Sequence, residues 1–389
     1  MNDETAETGS HGEIRAAVRK LCARFPGDYW REKDRKRTYP EEFVRALTEA
    51  GYLAVLIPEG LGGAGLPLSA ASAILETIHA EGCNGAACHA QMYIMGTILR
   101  HGSEAQKRAF LPAVATGALR LQAFGVTEPG SGSDTTNLRT FARRDGEHYV
   151  VNGQKVWTSR AEHSDLMLLL ARTTPKEQTR RRTEGLSVFI VDMRQAVTAG
   201  LTIRPIRTMM NHSSCEIFFD NVVVPASNLI GEEGEGFRYI LDGMNAERLL
   251  IASESIGDAK WFIAKAVAYA KQRIVFGRPI GQNQGIQFPI ARAHAEMRAA
   301  ELMLHEGLAR FEAGKPCGEE ANTAKLLAAD AAGAAGEACL QTHGGYGFAE
   351  EFDIERKYRE ARLYRVAPIS TNLILSYIAE HVLGLPRSY

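Results

Sequence analysis

Apolar residues recur at helical spacing from the start of the chain to about residue 122. Pro40 suits the first turn of a helix, and Gly51 suits the end of the same helix. Ser103 and Gln106 have the spacing of a capping box at the start of another helix. The pattern predicts helices over residues 40–52, 68–82, 85–102 and 103–117.

The period changes between residue 123 and about residue 228. Here the apolar residues form short runs rich in β-branched and aromatic side chains, such as "HYVVNGQKVWTS", "DLMLLLART" and "GLSVFIVDM". Gly, Pro, Asn and Asp separate these runs, as expected of turns. This part of the chain is predicted to be a compact all-β domain.

Helical periodicity returns at about residue 232 and lasts almost to the end. The segment "EANTAKLLAADAAGAAGEACLQ" (320–341) is rich in Ala and Gly, which lets neighbouring helices approach closely. The predicted fold class is therefore α+β with several domains. The predicted domains are an N-terminal helical domain (1–122), a central β domain (123–231) and a C-terminal helical bundle (232–389).

Length and charge limit the classes of function. A chain of 389 residues favours two or three domains, and 45% hydrophobic with 23% charged residues indicates a globular protein. Lys and Arg number 45 against 46 Asp and Glu, a formal net charge of -1. This balance argues against a nucleic-acid or anionic-membrane surface.

The six cysteines form neither a CxxC pair nor a zinc-like cluster with histidine, so we expect reduced thiols and no metal site. The acidic, polar start resembles neither a secretory signal nor a transit peptide, and residues 1–12 are expected to be disordered. No apolar run has membrane-spanning length. The expected location is the cytoplasm.

The stretch "DGMNAERLLIAS" (242–253) places a charged residue inside an apolar helical stripe. Ile240, Met244, Glu247 and Ile251 follow each other at spacings of four, three and four residues. Most helix glutamates lie in solvent, but this one takes a position that usually holds a leucine. Glu247 is therefore a candidate buried base.

Several common motifs are absent: the Walker loop, HExxH and GxSxG. Four other motifs are present in order: "AFGVTEPGSGSD" (123–134), "NGQKVWTS" (152–159), "RIVFGRPIGQNQGIQF" (273–288) and "QTHGGYGF" (341–348). Together they resemble the acyl-CoA dehydrogenase family of FAD enzymes over nearly the whole chain. The resemblance implies an N-terminal helical domain, a central β-barrel and a C-terminal four-helix bundle.

The resemblance also implies that FAD lies between barrel and bundle and that the protein is a homo-oligomer, usually a tetramer made of paired dimers. The residues implied to contact the flavin from the barrel are Phe124, Val126, Thr127, Gly132, Ser133, Trp157 and Ser159. Those implied to hold the remainder of FAD, partly across the dimer, are Arg273, Phe276, Gln284, Gln341, Gly344, Gly345, Ser370 and Asn372.

The residue types agree with these roles. An isoalloxazine ring needs a large aromatic neighbour, which Trp157 offers. A diphosphate removed from water needs a fixed cation, which Arg273 offers. Close approach of the backbone needs small residues, and the motifs contain them: Gly130, Gly132, Gly344 and Gly345.

Family members oxidise the Cα–Cβ bond of an acyl-CoA to a trans-2-enoyl-CoA: a carboxylate takes the α-proton and flavin N5 takes the β-hydride. The usual base is the Glu of a C-terminal "YEGT", but here Pro368 stands at that position and Ser370 at the Thr. The resemblance to the isovaleryl-CoA and long-chain types, which carry the base on a bundle helix, assigns the base to Glu247 in "NAERLL" (245–250).

The same resemblance places Asn245, Arg248 and, through its backbone, Ser133 at the CoA part of the substrate. His212, in "TMMNHSSCE" (208–216), is interpreted as a loop histidine without a catalytic role. The sequence itself gives neither the length nor the branching of the acyl group; only the resemblance, through the position of the base, favours longer or branched acyl groups. The expected electron acceptor is an electron-transfer flavoprotein.

Two alternatives remain open on the same scaffold. The first is a flavin-dependent monooxygenase or oxidase, which needs no carboxylate base. The second is a relative that keeps FAD but has lost dehydrogenation, such as an acyl-CoA binder or a desulfinase-like enzyme.

Overall fold

The structure is a computed structural model that describes residues 11–387. The predicted disordered tail lies outside the described residues except for its last two positions, and Gly12 already begins a helix. Six helices precede the first strand: α1 (Gly12–Cys22), α2 (Gly27–Lys36), α3 (Glu41–Glu49), α4 (Leu68–Ala80), α5 (Ala86–His101) and α6 (Glu104–Thr116).

The four helices predicted in this region are confirmed. Pro40 is the N-cap of α3. Gly51 follows the C-cap residue Ala50, and its positive φ of 79° takes the chain out of the helix. The side-chain oxygen of Ser103 accepts from the Gln106 backbone N–H at 3.2 Å, and the Gln106 side chain accepts from the Ser103 N–H at 2.9 Å. Two backbone donors that α6 itself cannot pair are thereby satisfied.

Strands occupy the middle of the chain. They are β1 (Leu121–Gly125), β2 (Phe141–Asp145), β3 (His148–Ser159), β4 (Leu166–Arg172), β5 (Leu186–Asp192), then, after the short helix α7 (Met193–Ala196), β6 (Leu201–Pro205), β7 (Ser214–Pro225) and β8 (Leu229–Ile230). They form one mixed sheet in the order β6-β7-β3-β2-β4-β5-β8, and β1 pairs in parallel with β4. Within residues 11–387 this pairing shows a mixed sheet that ends at β6 and β8, with β1 branching off at β4, and does not show the closed barrel that was predicted.

The last third is helical, as predicted. It contains α8 (Gly236–Gln272), a two-stranded hairpin of β9 (Ile274–Val275) and β10 (Arg278–Pro279), α9 (Gln284–Glu312), α10 (Gly318–His343), α11 (Ile354–Ala361) and α12 (Thr371–Tyr377). None of the helices in residues 11–387 combines the length and the apolarity needed to cross a membrane.

The chain forms two compact units. The sheet unit comprises residues 38–66 and 86–244, and the helical unit comprises the segments up to residue 37, 67–85 and 245–389.

In the sheet unit, β4 is buried along its whole length. Its side chains alternate between two apolar clusters, as the two-residue period of a strand requires. Leu166, Leu168 and Leu170 join the cluster that contains residues of α5 and α6. Met167 and Leu169 join the cluster on the other face of the sheet.

In the helical unit, α9 and α10 pack along each other, and the Ala- and Gly-rich sequence of α10 explains why they can. A Cβ atom on Gly336 would lie 3.1 Å from the Tyr358 ring and 3.3 Å from the Phe262 ring. The small residue therefore allows two aromatic rings to pack against this helix.

Candidate active site

Within the sheet unit, the structure brings the predicted flavin-contacting residues of two segments together. The segment after β1 runs beside the end of β3, where the Val156 N–H donates to the Thr127 carbonyl at 2.9 Å. Lys155 Nζ donates to the Val126 carbonyl at 2.9 Å and to Glu128 Oε1 at 2.8 Å. Val126 and Thr127 therefore lie next to the strand that carries Trp157.

The buried pair of Lys155 and Glu128 holds this arrangement. Burial would raise the pKa of Glu128, but the Lys155 ammonium lowers it. Burial lowers the pKa of Lys155 to about 8 although Glu128 opposes the shift. Glu128 also accepts from the Arg139 N–H at 2.6 Å and the Thr140 N–H at 2.9 Å. The carboxylate thus fixes the turn that contains Gly132 and Ser133 to the sheet.

Trp157 leaves a large aromatic surface uncovered. Its side chain is 58% exposed although it lies on a strand with buried neighbours on both sides. Its φ of 60° coincides with a shift in the β3–β7 register between Lys155 and Thr158. In a regular strand the indole of Trp157 would pack on the same side as Lys155. The irregular backbone turns it outward instead. Such a surface fits contact with a flat ring system.

The remaining residues of this set also leave room at the surface. A Cβ atom added to Gly130 or Gly132 would have no atom within 4 Å. Ser133 is exposed, and Phe124 and Ser159 are partly buried. The predicted flavin residues of the sheet unit therefore form a surface with space for a cofactor.

In the helical unit, Arg273 and the glycine turn after α10 meet. The Arg273 guanidinium lies 5.9 Å from the centre of the Tyr346 ring, which directly follows Gly344 and Gly345. Phe276, in the β9–β10 hairpin, is 99% exposed with φ 50°. Gln284 and Gln341 are exposed as well. These residues present a cation, aromatic rings and open backbone, which fit the diphosphate and adenine parts of a dinucleotide.

Ser370 and Asn372 line a polar cavity of about 470 Å³. Ser370 also caps α12 by accepting from the Leu373 N–H at 3.4 Å. The cavity is also lined by three charged residues that no sequence motif points to, Asp330, Arg362 and Arg365. They come from two other helical segments, and no local pattern connects them to Ser370.

Glu247 is buried on α8, with a relative exposure of 4%. Ile240 and Ile251, on the same stripe, are 6% and 7% exposed. The prediction that this glutamate occupies a core position is therefore confirmed. Two cations lie within electrostatic reach of its carboxylate, Arg248 and Lys325, and the charge of Glu247 raises the pKa of both against the effect of burial.

Arg248 and Asn245 are joined, since Arg248 Nη1 donates to Asn245 Oδ1 at 2.8 Å. Arg248 Nε is buried and has no hydrogen-bond partner within residues 11–387. Burial lowers the pKa of Arg248, and the Glu247 carboxylate opposes this. Asn245 and Arg248 are the two residues predicted to contact the substrate, and the Nε–H of Arg248 is a donor that could pair with a ligand.

Lys325 connects Glu247 to the segment that carries the usual base in the family. Lys325 is 0% exposed on α10, and its Nζ donates to the Ile369 carbonyl at 2.7 Å. Ile369 directly follows Pro368, the residue predicted to replace the usual base, and Lys325 also lies within electrostatic reach of Glu247. Lys325 lies 78 residues after Glu247, so no local sequence pattern connects the two residues.

Comparison with known proteins identifies the family. Three profiles match in order: the acyl-CoA dehydrogenase N-terminal domain at residues 8–118, the middle domain at 123–222 and the C-terminal domain at 234–383. The acyl-CoA dehydrogenase fadE12 of Mycobacterium bovis is 32% identical over 388 residues, 98% of each chain.

Solved structures agree with this result. The chain is similar to a glutaryl-coenzyme A dehydrogenase in its glutaryl-CoA complex, with 29% identity, a TM-score of 0.89, and coverage of 100% of this chain and 97% of that one. It is also similar to a structure from work on the electron transferring flavoprotein of Acidaminococcus fermentans, with 27% identity, a TM-score of 0.90, and coverage of 98% and 100%.

This chain belongs to the acyl-CoA dehydrogenase family, whose members are FAD-dependent oxidoreductases. The exposed Trp157 and the open turn at Gly130 and Gly132 leave room for part of such a cofactor in the sheet unit, and the Arg273–Tyr346 pair does so separately in the helical unit. The individual residue assignments in the two units stay predictions.

Proposed function

We propose that this protein oxidises the Cα–Cβ bond of an acyl-CoA thioester to a trans-2-enoyl-CoA and that Glu247 is the base. When bound, FAD supplies the acceptor for the β-hydride. The chain's own residues bind the thioester, remove the α-proton and exclude water from that proton transfer.

The observation that carries the proposal is the burial of Glu247. A carboxylate that is 4% exposed can meet a substrate C–H group away from bulk water, which keeps water out of the proton transfer. Arg248 and Lys325 balance its charge. Pro368 has no proton-accepting side chain, so the usual position offers no competing base.

Asn245 and Arg248 are proposed to hold the CoA portion, with Ser133 contributing through its backbone. Their place next to Glu247 in sequence puts substrate binding and proton removal on one helix. The proposed electron acceptor is an electron-transfer flavoprotein, supported by the similarity to the structure from the Acidaminococcus fermentans work.

The test is reduction of the bound flavin by acyl-CoA without oxygen. Glu247→Gln is expected to keep bound FAD and to lose at least about a thousandfold in the rate of bleaching, because the amide accepts no proton. Glu254→Gln is the matched control, since Glu254 is 2% exposed on the same helix seven residues later and has no proposed role.

Normal bleaching by Glu247→Gln would disprove the assignment of the base. Oxygen consumption coupled to product formation would instead favour a monooxygenase or oxidase. Failure of every acyl-CoA to bleach the wild-type flavin would favour a relative that only binds its ligand.

A further inference from the structure

The polar cavity of about 470 Å³ lies entirely within the helical unit. A single water molecule needs only about 10–15 Å³ of such space, so the cavity has room for a much larger group. Its lining comes from α10, from the turn Arg362–Arg365 after α11 and from the start of α12. The six lining residues are Asp330, Arg362, Arg365, Ser370, Thr371 and Asn372. The family resemblance assigns a role to Ser370 and Asn372 but none to the two arginines.

The lining of this cavity carries a net positive charge. It contains two guanidinium groups and one carboxylate, which belongs to Asp330. Arg365 Nε lies 3.0 Å from Asp330 Oδ1, so the carboxylate balances one of the two cations. The side chains of this pair are 40% and 51% exposed, and both can therefore meet a ligand. Among the lining residues, the charge of Arg362 has no carboxylate to balance it.

Contacts with α10 fix the position of Arg365. A Cβ atom on Gly333 would lie 2.8 Å from Arg365 Nη2 and 3.0 Å from its Cζ, so the guanidinium lies directly against the backbone of α10. Gly333 and Asp330 are three residues apart, so they share the helix face that meets Arg365. The Thr371 hydroxyl donates to the Arg365 carbonyl at 3.2 Å. This cation is therefore held in place by the protein itself, which lowers the entropic cost of binding a ligand.

The start of α12 is attached to α10 as well. Lys325 is 0% exposed on α10, and its ammonium group donates to the Ile369 carbonyl at 2.7 Å. Ser370 follows directly, and its side-chain oxygen accepts from the Leu373 N–H at 3.4 Å. Hydrogen bonds thus hold two sides of the cavity together.

The side chains of the cavity supply mainly hydrogen-bond donors. Guanidinium groups only donate. The Ser370 oxygen already accepts the bond that caps α12, so its hydroxyl hydrogen can donate to a ligand. Asn372 is exposed and adds the two N–H groups of its amide. A ligand that fits this lining has negative charge and several acceptor oxygens.

A phosphate group meets both requirements. Its oxygens accept hydrogen bonds, and arginine binds phosphate through two parallel N–H groups. Other classes of ligand fit less well. A metal cation would be repelled by the two guanidinium groups. An alkyl chain would leave the donors of the lining without acceptors.

FAD brings phosphate groups to this family as part of its cofactor. The diphosphate of FAD carries one negative charge on each of its phosphate groups. The family motifs offer one cation for them, Arg273, so one charge is left without a partner. The net positive charge of the cavity balances this second charge.

We propose that Arg362 and Arg365 bind the diphosphate of FAD in this cavity and that Ser370 and Asn372 donate to its oxygens. The inference concerns how the protein retains its cofactor. It therefore holds whichever residue is the base and whichever acyl-CoA is the substrate.

The test is the affinity for FAD, measured without turnover. The full-length protein is freed of FAD and titrated with it, and the quenching of flavin fluorescence gives the dissociation constant at low and at high salt. At low salt, Arg362→Leu and Arg365→Leu are each expected to raise this constant at least about tenfold, as the loss of one hydrogen bond to a charged group does. At high salt the effect of Arg362→Leu should fall to less than about threefold, because salt screens an exposed charge.

Two further variants separate phosphate binding from a structural role. Arg362→Lys keeps the charge but loses the paired N–H groups, so its dissociation constant should lie between those of the wild type and Arg362→Leu. Arg35→Leu is the matched control, since Arg35 is 63% exposed on α2 of the same unit and pairs only weakly with Glu350, at 3.8 Å. It should bind FAD like the wild type. Circular dichroism shows whether each variant is folded.

A dissociation constant within about twofold of the wild type in Arg362→Leu would overturn the inference. A loss of affinity that is the same at both salt concentrations would overturn it too, because it would indicate a change in structure rather than a lost ionic contact. Coenzyme A also carries phosphate groups, so it is titrated into the FAD-loaded proteins. Weaker binding of coenzyme A by Arg362→Leu, with unchanged binding of FAD, would assign the cavity to the substrate instead.

Discussion

Lys325 is a buried ammonium group next to the proposed base. Burial and the charge of Arg248 lower its pKa to about 8, while Glu247 and Asp330 act in the opposite direction. A lysine in the unfolded chain has a pKa of about 10.4. Between these two values the unfolded chain binds the proton and the folded chain does not, so raising the pH through this range stabilises the folded state.

The corresponding prediction concerns Lys325→Met. Between about pH 7.5 and pH 9, the unfolding free energy of the wild type should rise by about 1 kcal/mol more than that of the variant. Urea unfolding of both proteins at the two pH values measures the difference. Lys36→Met, which removes an exposed lysine paired with Glu32, should keep the wild-type pH dependence. Parallel curves for wild type and Lys325→Met would contradict the assigned pKa.

The surroundings of Glu247 show which features of the site can be predicted from the sequence. The four-three-four spacing around Glu247 is local, and it correctly predicts that the residue is buried. Of the two cations that balance its charge, Arg248 is the next residue in sequence, but Lys325 comes from α10, and a single sequence does not pair residues so far apart.

At the scale of elements, local chemistry specified most helices. The capping box of α6, the proline before α3 and the glycines after helices depend on residues within one turn of each other, so the sequence predicts them. The order of the strands depends on pairings between distant segments. The parallel pair of β1 and β4 joins residues 121–125 to residues 166–169, and alternation of apolar residues carries no information about that choice.

One buried network ties α4, α8 and α11 of the helical unit together. Asp258, on α8, is 0% exposed and bonds to His79 at 3.0 Å, to the Tyr364 hydroxyl at 2.8 Å and to Lys357. Burial would raise the pKa of Asp258, but the charges of Lys357 and His79 lower it to about 2. The carboxylate therefore stays charged throughout the neutral range.

Asp258→Ala should destabilise the protein by about 3–5 kcal/mol, because it leaves the buried Lys357 without its main counter-charge. Asp330→Ala is the matched control. Asp330 pairs with Arg365 at 3.0 Å, but its side chain is 51% exposed, so its loss should cost less than about 1 kcal/mol. Urea unfolding monitored by circular dichroism measures both. Equal effects of the two substitutions would show that burial does not set the strength of the Asp258 network.

At the scale of the whole molecule, exposed apolar side chains lie on the β9–β10 hairpin, at the start of α9 and in the turn after α10 of the helical unit. We call Ile274, Phe276, Phe288, Tyr346 and Phe348 the apolar strip. Their exposures are 54%, 99%, 60%, 48% and 73%. The Arg273 guanidinium over the Tyr346 ring connects the hairpin to the turn after α10. Exposed aromatic residues gathered in this way mark interaction surfaces in soluble proteins.

The apolar strip contains or adjoins the residues assigned by family resemblance to an FAD held across a dimer, which are Arg273, Phe276, Gln284, Gln341, Gly344 and Gly345. Self-association and cofactor retention should then depend on the same surface. This coupling stays a prediction, and it can be tested because a substitution in the strip should affect both properties at once.

Phe276→Asp should convert the oligomer into a smaller species and release FAD in the same step. Aspartate tolerates the positive φ of 50° at this position, so the substitution changes the surface without straining the backbone. Sedimentation velocity with detection at a flavin wavelength measures mass and cofactor together. Val197→Asp, at an apolar residue of the sheet unit that is 47% exposed and outside the strip, should leave both unchanged. A Phe276→Asp protein with the wild-type mass and full FAD content, or a wild-type protein that is a monomer, would show that the strip is not the interface that completes the cofactor site.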